Sequence, residues 1–300
     1  MKLSSIQIGI FALTFFLIPE LSLSAPIGHG DLGIRILSYN VHGLPDPFVA
    51  DHGQYETIGN ILAKRRAEGT APHVVVIQEG FRKVTRKLIR NAGYPYVAQG
   101  PGSAFLKFSS GLWVMSEYPI LDVHRTVYDR CMSWDCFAKK GVVHVRVQVP
   151  GSEFPVDIYD THMNSDPDSD PFATESGAHR VRTKQVQQME MFIAKTKAPD
   201  GVVLVGGDFN YISTFQEALL FTFLTNLKNV RDDCKETQNC TGNENYTTEA
   251  KTAIDHQYFQ TNLSGVSVAA THYERTFKET VQGELLSDHF GLEAGFRIYW

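Results

Sequence analysis

The sequence predicts a single α+β domain built on mixed or antiparallel β-sheets. Short apolar runs alternate with longer amphipathic segments, which is typical of interleaved strands and helices. Several predicted strands are separated only by Gly-Ser or Pro-Gly turns, and such short turns join antiparallel neighbours. With 300 residues, 43% of them hydrophobic, the chain can bury a substantial core.

The strands are predicted where short apolar runs are bounded by turn residues. The runs are rich in Val, Ile and Leu, which suits strands that are buried in a sheet. The predicted strands span residues 34–40, 73–78, 105–107, 112–116, 142–149, 156–162, 202–208, 254–259, 266–271 and 290–298.

Helices are predicted where apolar residues recur on one face. In the first of them, Ile58, Ile61 and Leu62 share a face. The predicted helices span residues 56–67, 81–91, 176–195 and 214–224. Two polar stretches between these elements are predicted to be long surface loops, at residues 163–177 and 232–251.

The N-terminus has the pattern of a secretory signal peptide. Lys2 precedes an apolar run of 13 residues, and small residues around Ser24 offer a cleavage site. We predict a signal peptide at residues 1–24 and a mature domain at residues 25–300, secreted to an extracellular or periplasmic space. The alternative is an N-terminal anchor helix, although the apolar run is too short to span a bilayer comfortably. No second long apolar segment follows, so no transmembrane segment is expected in the mature chain.

The cysteine count favours disulfide bonds. An even number of cysteines in an exported chain predicts a disulfide framework, and four cysteines allow three pairings. Neither short spacing matches a common zinc pattern. Of the three pairings we favour the two local ones, which join Cys131 to Cys136 and Cys234 to Cys240.

The charge argues against a nucleic-acid partner. Signal removal deletes one base (Lys2) and one acid (Glu20), so 28 basic and 33 acidic residues become 27 and 32, and the net charge stays at −5. The bases are dispersed, whereas a protein that grips DNA through its phosphates gathers them on one face. We therefore expect no stable binding of nucleic acid.

Short polar motifs follow the predicted strands. The end of a buried strand is where a polar side chain can emerge onto a shared rim. Carboxylates and amides on such a rim suit a hard cation, and a histidine beside them can act as a base, which together predict a metal-assisted phosphoester hydrolase. The motifs are Ser38-Tyr39-Asn40, Gln78-Glu79, Thr161-His162-Met163-Asn164, Gly207-Asp208-Phe209-Asn210, Ile254-Asp255 and Ser287-Asp288-His289.

The order of these motifs resembles that of the endonuclease/exonuclease/phosphatase superfamily. Two stretches resemble motifs of secreted neutral sphingomyelinases of the sphingomyelinase C type. They are the opening motif Ser-Tyr-Asn-Val-His-Gly-Leu-Pro at residues 38–45 and the Asp-x-x-x-x-Lys-Gly-Val loop at residues 135–142. The resemblance covers roughly the whole mature chain. It implies a DNase-like fold, a four-layer α/β/β/α sandwich of two packed mixed β-sheets with outer helices and the site at one end.

The resemblance also implies roles for four of the motif residues. Glu79 is expected to be the central metal ligand, and Asn40 its neighbour in the metal site. Asp208 is expected to orient the nucleophilic water. Asn210 is expected to bind the phosphate.

The other roles follow from the chemistry of phosphodiester hydrolysis. His289 is the expected general base, because imidazole has the right basicity near neutral pH, and Asp255 is expected to orient it. Asp288 is then a further metal ligand. His162 is expected to donate to a non-bridging phosphate oxygen as negative charge develops. Lys140, directly before a glycine, is expected to hold the phosphate.

The predicted activity is a magnesium-dependent phosphodiesterase that hydrolyses sphingomyelin to ceramide and phosphocholine, with manganese or cobalt as possible substitutes. The expected partner is a phospholipid substrate at a membrane surface, and the expected state is a monomer. The alternatives are a secreted DNase-like endonuclease or other phosphoesterase of the same fold, and a catalytically silent toxin or binding module. The aromatic residues Trp113, Tyr118, Tyr128 and Trp134 could form a lipid-facing edge, although most are expected in the core.

Overall fold

The structure is a computed structural model that describes residues 30–44, 50–105, 107–167, 173–242, 246–260, 262–263 and 265–300. The predicted signal peptide and its cleavage site lie outside the described residues, as does the end of the opening motif. Among the helices of the described part, none has the length and apolarity that crossing a membrane requires.

The strands and helices are interleaved along the chain. In chain order they are β1 (Asp31–Asn40), α1 (Gln54–Ala67), β2 (Val74–Gln78), α2 (Thr85–Ala92), β3 (Tyr96–Gln99), β4 (Trp113–Ser116), β5 (Ile120–Val127), a 3₁₀ helix (Ser133–Phe137), β6 (Gly141–Val147), β7 (Val156–His162), α3 (Glu175–Thr196), β8 (Val202–Asp208), α4 (Gln216–Thr225), β9 (Leu227–Asn229), α5 (Val230–Thr237), β10 (Asp255–Gln260), β11 (Asn262–Leu263), β12 (Val266–Thr276), β13 (Thr280–Val281), β14 (Glu284–Leu285) and β15 (Gly291–Tyr299).

Two large mixed sheets make up the centre of the fold. The first has the strand order β11-β12-β15-β1-β2-β4-β3, and the second has the order β5-β6-β7-β8-β10-β9. The pairs β1–β2 and β7–β8 are parallel, and the other described pairs are antiparallel. The short strands β13 and β14 form a separate hairpin.

Strand periodicity produces three apolar layers and therefore four layers of structure. Successive residues of a strand point to opposite faces of its sheet. Val74 and Val76 of β2 pack between the two sheets, whereas Val75 belongs to a core with residues of α1 and α2. In the same way Leu204 of β8 faces the first sheet, and Val203 packs with residues of α3 and α4. The predicted α/β/β/α sandwich is confirmed.

Some local predictions differ from the structure. Residues 230–237, partly inside the predicted loop 232–251, form helix α5, whose first turn is capped by Asn229, the acceptor for the backbone N–H groups of Arg231 and Asp232. At the predicted strand 105–107, Ala104 and Lys107 exchange backbone hydrogen bonds around a tight turn. The sequence signal for helix α5 that the prediction missed is the capping residue Asn229 with the polar residues that follow in the helix.

A buried polar contact joins the two sheets beneath the strand ends. Gln78 of β2 donates from Nε2 to Oδ1 of Asp160 in β7 at 2.6 Å and to Oγ of Ser38 at 3.2 Å. Asp160 is fully buried, and Oδ2 has no hydrogen-bond partner. Burial raises the pKa of this carboxyl group well above its ordinary value of 3.8, which favours the protonated form.

Replacement of Asp160 with asparagine is expected to flatten the pH dependence of stability. The folded protein holds this proton at pH values where the unfolded chain has released it, so the free energy of unfolding falls as pH rises above about 4. For one proton the slope reaches about 1.4 kcal/mol per pH unit. Asp160→Asn should escape this loss, as measured by urea unfolding between about pH 4 and about pH 8. Parallel pH curves for Asp160→Asn, the wild type and the exposed control Asp129→Asn would contradict the prediction.

Candidate active site

Polar residues end three strands at one edge of the sandwich. Asn40 ends β1, His162 ends β7 and Asp208 ends β8. Each lies an even number of residues after a side chain of the central core, so each points between the two sheets. His162 is in register with Asp208, and Asp255 at the start of β10 is in register with Asp208 on its other side. The strand register therefore brings these groups together.

Three residues around this edge adopt left-handed backbone conformations. They are His42 (φ 48°), Glu79 (φ 58°) and Asn210 (φ 53°). Non-glycine residues with such φ values are uncommon, and they concentrate at functional sites. Gly43 is required beside them, because a Cβ at this position would overlap the carbonyl oxygen of Glu79. The glycine of the opening motif thus lets the backbone pass close to Glu79.

Asn40 links the two carboxylates at the centre of the site. Its Nδ2 donates to Oε1 of Glu79 at 3.1 Å and to Oδ2 of Asp208 at 3.0 Å. The pKa of Glu79 is raised by burial. Burial, together with the neighbouring charge of Asp255, raises the pKa of Asp208 to about 7. Two desolvated carboxylates side by side favour the binding of positive charge.

These groups fit a divalent cation. Glu79, His162 and Asp208 offer ligand atoms that all lie within 4.8 Å of one another. Oε2 of Glu79 is buried without a hydrogen-bond partner, which leaves an oxygen lone pair unused in a site rich in carboxylates. Oxygen ligands of this kind are those that magnesium prefers. Asp288 lies at the rim, nearly half exposed, with Oδ1 at 3.4 Å from Nδ1 of His42, and does not belong to this compact group.

His289 and Asp255 form a buried acid–histidine pair. Nδ1 of His289 lies 2.8 Å from Oδ2 of Asp255, and Nε2 lies 3.9 Å from Oδ2 of Asp208. Burial by itself lowers the pKa of His289, but Asp255, Asp208 and Asp288 outweigh it and raise the pKa to about 10. A cation held by the same carboxylates would compete with the imidazolium for their negative charge, and so would favour the neutral base.

Two hydroxyl groups hold this pair in place, and the sequence motifs assigned no role to either. Thr247 donates from Oγ1 to Oδ2 of Asp255 at 2.6 Å. Ser287 donates to the backbone oxygen of Asn40 at 2.8 Å and accepts from the backbone N–H of His289 at 3.1 Å. Ser287 could have been found from its place in the Ser-Asp-His motif. Thr247 lies in a polar stretch that carries no such signal.

His162 approaches the same carboxylate oxygen of Asp208 as His289 does. Its Nε2 is 3.5 Å from Oδ2 of Asp208 and 3.9 Å from Oε1 of Glu79, and its Nδ1 is buried without a partner. Burial, helped by the positive charges of Lys140 and His289, lowers the pKa of His162 well below 6.5. This lowered pKa favours the neutral form of the ring.

Lys140 and Asn210 meet at one backbone oxygen. Lys140 is 7% exposed and donates from Nζ to the carbonyl oxygen of Met163 at 2.9 Å, and Nδ2 of Asn210 donates to the same oxygen at 3.0 Å. Nζ of Lys140 also pairs with Oδ1 of Asp135 at 2.7 Å. Asp135 in turn accepts from the backbone N–H of Ser165 at 2.6 Å. The spacing between Asp135 and Lys140 thus serves an ion pair that fixes the lysine beside the strand ends.

Both local disulfide bonds are present, as predicted. Cys131–Cys136 closes the loop that contains the 3₁₀ helix and carries Asp135. Cys234–Cys240 joins α5 to the segment that follows it.

The four-layer sandwich with carboxylates and histidines gathered at one end belongs to the DNase-like class of folds. Residues 37–289 match the Endonuclease/Exonuclease/phosphatase family, so the chain belongs to this family.

The curated relatives are similar to this chain at low identity. It is 27% identical to Sphingomyelinase C of Listeria ivanovii over 154 residues, which are 46% of this chain and 44% of that protein. It is 24% identical to Phospholipase C of Staphylococcus aureus over 197 residues, which are 60% of this chain and 58% of that protein. The matches thus span about half the length of these relatives.

The solved structures agree on the fold. Sphingomyelinase C from Streptomyces griseocarneus superimposes with a TM-score of 0.65 and 22% identity, covering 88% of this chain and 99% of that one. A β toxin variant of Staphylococcus aureus with bound magnesium ions gives a TM-score of 0.67 and 19% identity, with the same coverage of 88% and 99%.

Proposed function

We propose that this chain is a secreted, magnesium-dependent phosphodiesterase that hydrolyses sphingomyelin to ceramide and phosphocholine and works as a monomer. The observation that carries the proposal is the His289–Asp255 pair, whose Nε2 lies 3.9 Å from Asp208, the carboxylate that Asn40 links to Glu79. The curated relatives, named as a sphingomyelinase C and a phospholipase C, support a lipid phosphodiester as the substrate class. Two disulfide bonds suit an oxidising compartment outside the cytosol.

His289 acts as the general base in this proposal. Nδ1 is held by Asp255, so Nε2 is the nitrogen that faces Asp208 and the attacking water. Nε2 takes the proton of the water as the new P–O bond forms and the P–O bond to ceramide breaks, and Asp255 stabilises the imidazolium that results. The departing ceramide oxygen takes a proton from solvent, and the imidazolium returns its own proton to solvent before the next turnover. Asp208, whose Oδ2 lies 3.9 Å from the same Nε2, would orient the water.

Glu79 and Asp208 would hold the magnesium ion, with Asn40 fixing their separation and Asp288 approaching from the rim. Manganese or cobalt would serve as substitutes. Bound there, the cation would stabilise the negative charge that develops on the phosphoryl oxygens.

The phosphate is held by neutral and cationic donors on one side of the site. Neutral His162 donates one N–H without adding charge, and Asn210 has a second amide hydrogen besides the one bonded to Met163. Lys140 supplies a buried positive charge next to them. Preorganised donors of this kind stabilise a developing oxyanion without reorganisation.

A substrate panel tests the proposed reaction. Phosphocholine should be released from sphingomyelin vesicles in the presence of magnesium, whereas lysophospholipids, inositol phosphates and plasmid DNA should react more slowly. Salt should have little effect, because a zwitterionic headgroup does not depend on counterion release as DNA does. Nicking of plasmid DNA without release of phosphocholine would replace this proposal with an endonuclease of the same family, and no reaction with any substrate would favour a silent binding module.

Lys140→Ala is expected to lower kcat/KM on sphingomyelin by about tenfold or more, since it removes a fixed positive charge from the phosphate side of the site. The neighbouring Lys139→Ala is the matched control and should retain activity. Lys140→Ala removes the ion-pair partner of Asp135, so circular dichroism of both variants is needed to check the fold. Equal activity of the two variants would show that Lys140 has no role in phosphate binding.

A further inference from the structure

Large aromatic side chains are exposed around the disulfide-closed loop. Trp134 is 68% exposed and stacks on Phe137, which is 52% exposed, with ring centroids 5.9 Å apart. Phe108 is 50% exposed, and its backbone N–H donates to the carbonyl oxygen of Phe137 at 2.8 Å. Phe105, 91% exposed, occupies the tight turn that precedes Phe108. We call Phe105, Phe108, Trp134 and Phe137 the aromatic surface. Single exposed aromatics are ordinary, but a cluster on adjoining segments marks an interaction surface.

The aromatic surface is continuous with the candidate active site. Asp135 lies between Trp134 and Phe137 in the same 3₁₀ helix and pairs with Nζ of Lys140. Lys140 in turn shares the carbonyl oxygen of Met163 with Asn210. The disulfide bond Cys131–Cys136 closes this loop. A partner that binds the aromatic rings is therefore held next to the groups that would hold a phosphate.

Basic residues line a cavity that reaches the disulfide-bonded Cys131 of the same loop. A cavity of about 430 Å³ separates residues 130–132 of the loop from the first half of α3. Arg130, Arg180 and Lys184 line it, and none of the described lining residues is acidic. In a chain whose net charge is −5, this is a local positive charge. The surface beside the aromatic rings thus complements a negatively charged partner.

We propose that the aromatic surface and this basic cavity form a docking surface for membranes that contain anionic phospholipids. The rings would enter the boundary between headgroups and acyl chains, while Arg130, Arg180 and Lys184 would meet anionic headgroups. The proposal rests on the proposed function, since it presents the candidate site to a lipid substrate. It goes further because it assigns a second lipid, one that is bound and not cleaved.

Vesicle binding tests this surface without hydrolysis. In a His289→Ala background, sedimentation with vesicles of phosphatidylcholine alone or mixed with phosphatidylglycerol should show tighter binding to the anionic mixture. The pair Trp134→Ala and Phe137→Ala should weaken binding to both by about tenfold or more. Arg180→Glu and Lys184→Glu should remove the preference for anionic vesicles, with an effect on the order of fivefold for each lost base. Phe223→Ala on α4, whose ring is 83% exposed, is the matched control and should bind as before.

The possible outcomes separate docking from catalysis. With His289 intact, the docking variants should lose activity on vesicles but keep the wild-type kcat/KM on monomeric short-chain sphingomyelin. A wild type that binds anionic vesicles but leaves monomeric sphingomyelin intact would refute the proposed function and uphold the docking surface. Unchanged vesicle binding in the Trp134 and Phe137 variants would overturn the docking surface. The docking surface would also be overturned if these variants lost self-association and kept vesicle binding, because the surface would then be an interface between two copies of the chain.

Discussion

Replacement of His289 with alanine is expected to lower kcat on sphingomyelin by about a hundredfold or more while the protein stays folded. Loss of a general base costs this much when water must still be deprotonated. His289 and Asp255 form a buried pair, so the loss of the imidazole leaves the carboxylate of Asp255 without its partner and should lower the unfolding temperature. Circular dichroism checks that the variant is folded at the assay temperature. Phosphocholine release under saturating substrate measures the effect. His124→Ala, at an exposed histidine on β5, is the matched control.

A double variant tests whether Asp255 acts through His289. Asp255→Asn alone should lower kcat less than His289→Ala. The double variant should be little worse than His289→Ala, because residues that act as a unit are not additive. Near wild-type activity of His289→Ala at neutral pH would make the assignment of the base wrong.

Chelation is expected to abolish activity, and Glu79→Gln to raise the magnesium concentration that half-maximal activity requires by about tenfold or more. The variant removes a carboxylate charge from the cation, and a neutral amide oxygen binds magnesium more weakly. Activity against free magnesium measures the shift, and the rise in unfolding temperature with added magnesium reports binding independently of turnover.

Glu56→Gln is the control, since Glu56 pairs with Lys87 on exposed helix surfaces. Activity should return when magnesium, manganese or cobalt is added back after chelation. Full activity after exhaustive removal of divalent cations would contradict the metal role of Glu79 and Asp208, and with it the roles proposed for Asn40 and Asp288.

The buried strands were predictable from sequence and the edge strands were not. Strands such as β2 and β8 are covered on both faces, so their residues form uninterrupted apolar runs that stand out from the chain. The strands β3 and β5 lie at the outer edges of the two sheets, and many of their side chains are exposed. An edge strand that borders solvent needs no continuous apolar run, so its sequence resembles that of a loop.

The residues of the candidate site were likewise predictable only in part. Asn40, Glu79, His162 and Asp208 each stand at or just beyond the end of a strand, and His289 stands two residues before the start of β15. The apolar runs of the sequence locate these strands, so the meeting of the five residues could be predicted. Their roles remain predictions. Residues of polar loops also contact the site residues. These contacts depend on tertiary packing, and no local sequence pattern predicts them. Thr247 on the carboxylate of Asp255 is the example.

The oxygen shared by Lys140 and Asn210 belongs to the backbone of Met163, and this affects how mutational data will look. A scan that replaces each side chain in turn cannot delete that oxygen, so it would score Met163 as a packing residue of the outer core. The energetic coupling through this oxygen would be detected only as non-additive effects of substitutions at Lys140 and Asn210, which are 70 positions apart in the sequence. A shift of the main chain at residue 163 would displace both donors together. If Lys140 and Asn210 hold the phosphate as proposed, homologues could retune its binding through a packing change at Met163, without altering either of these two residues.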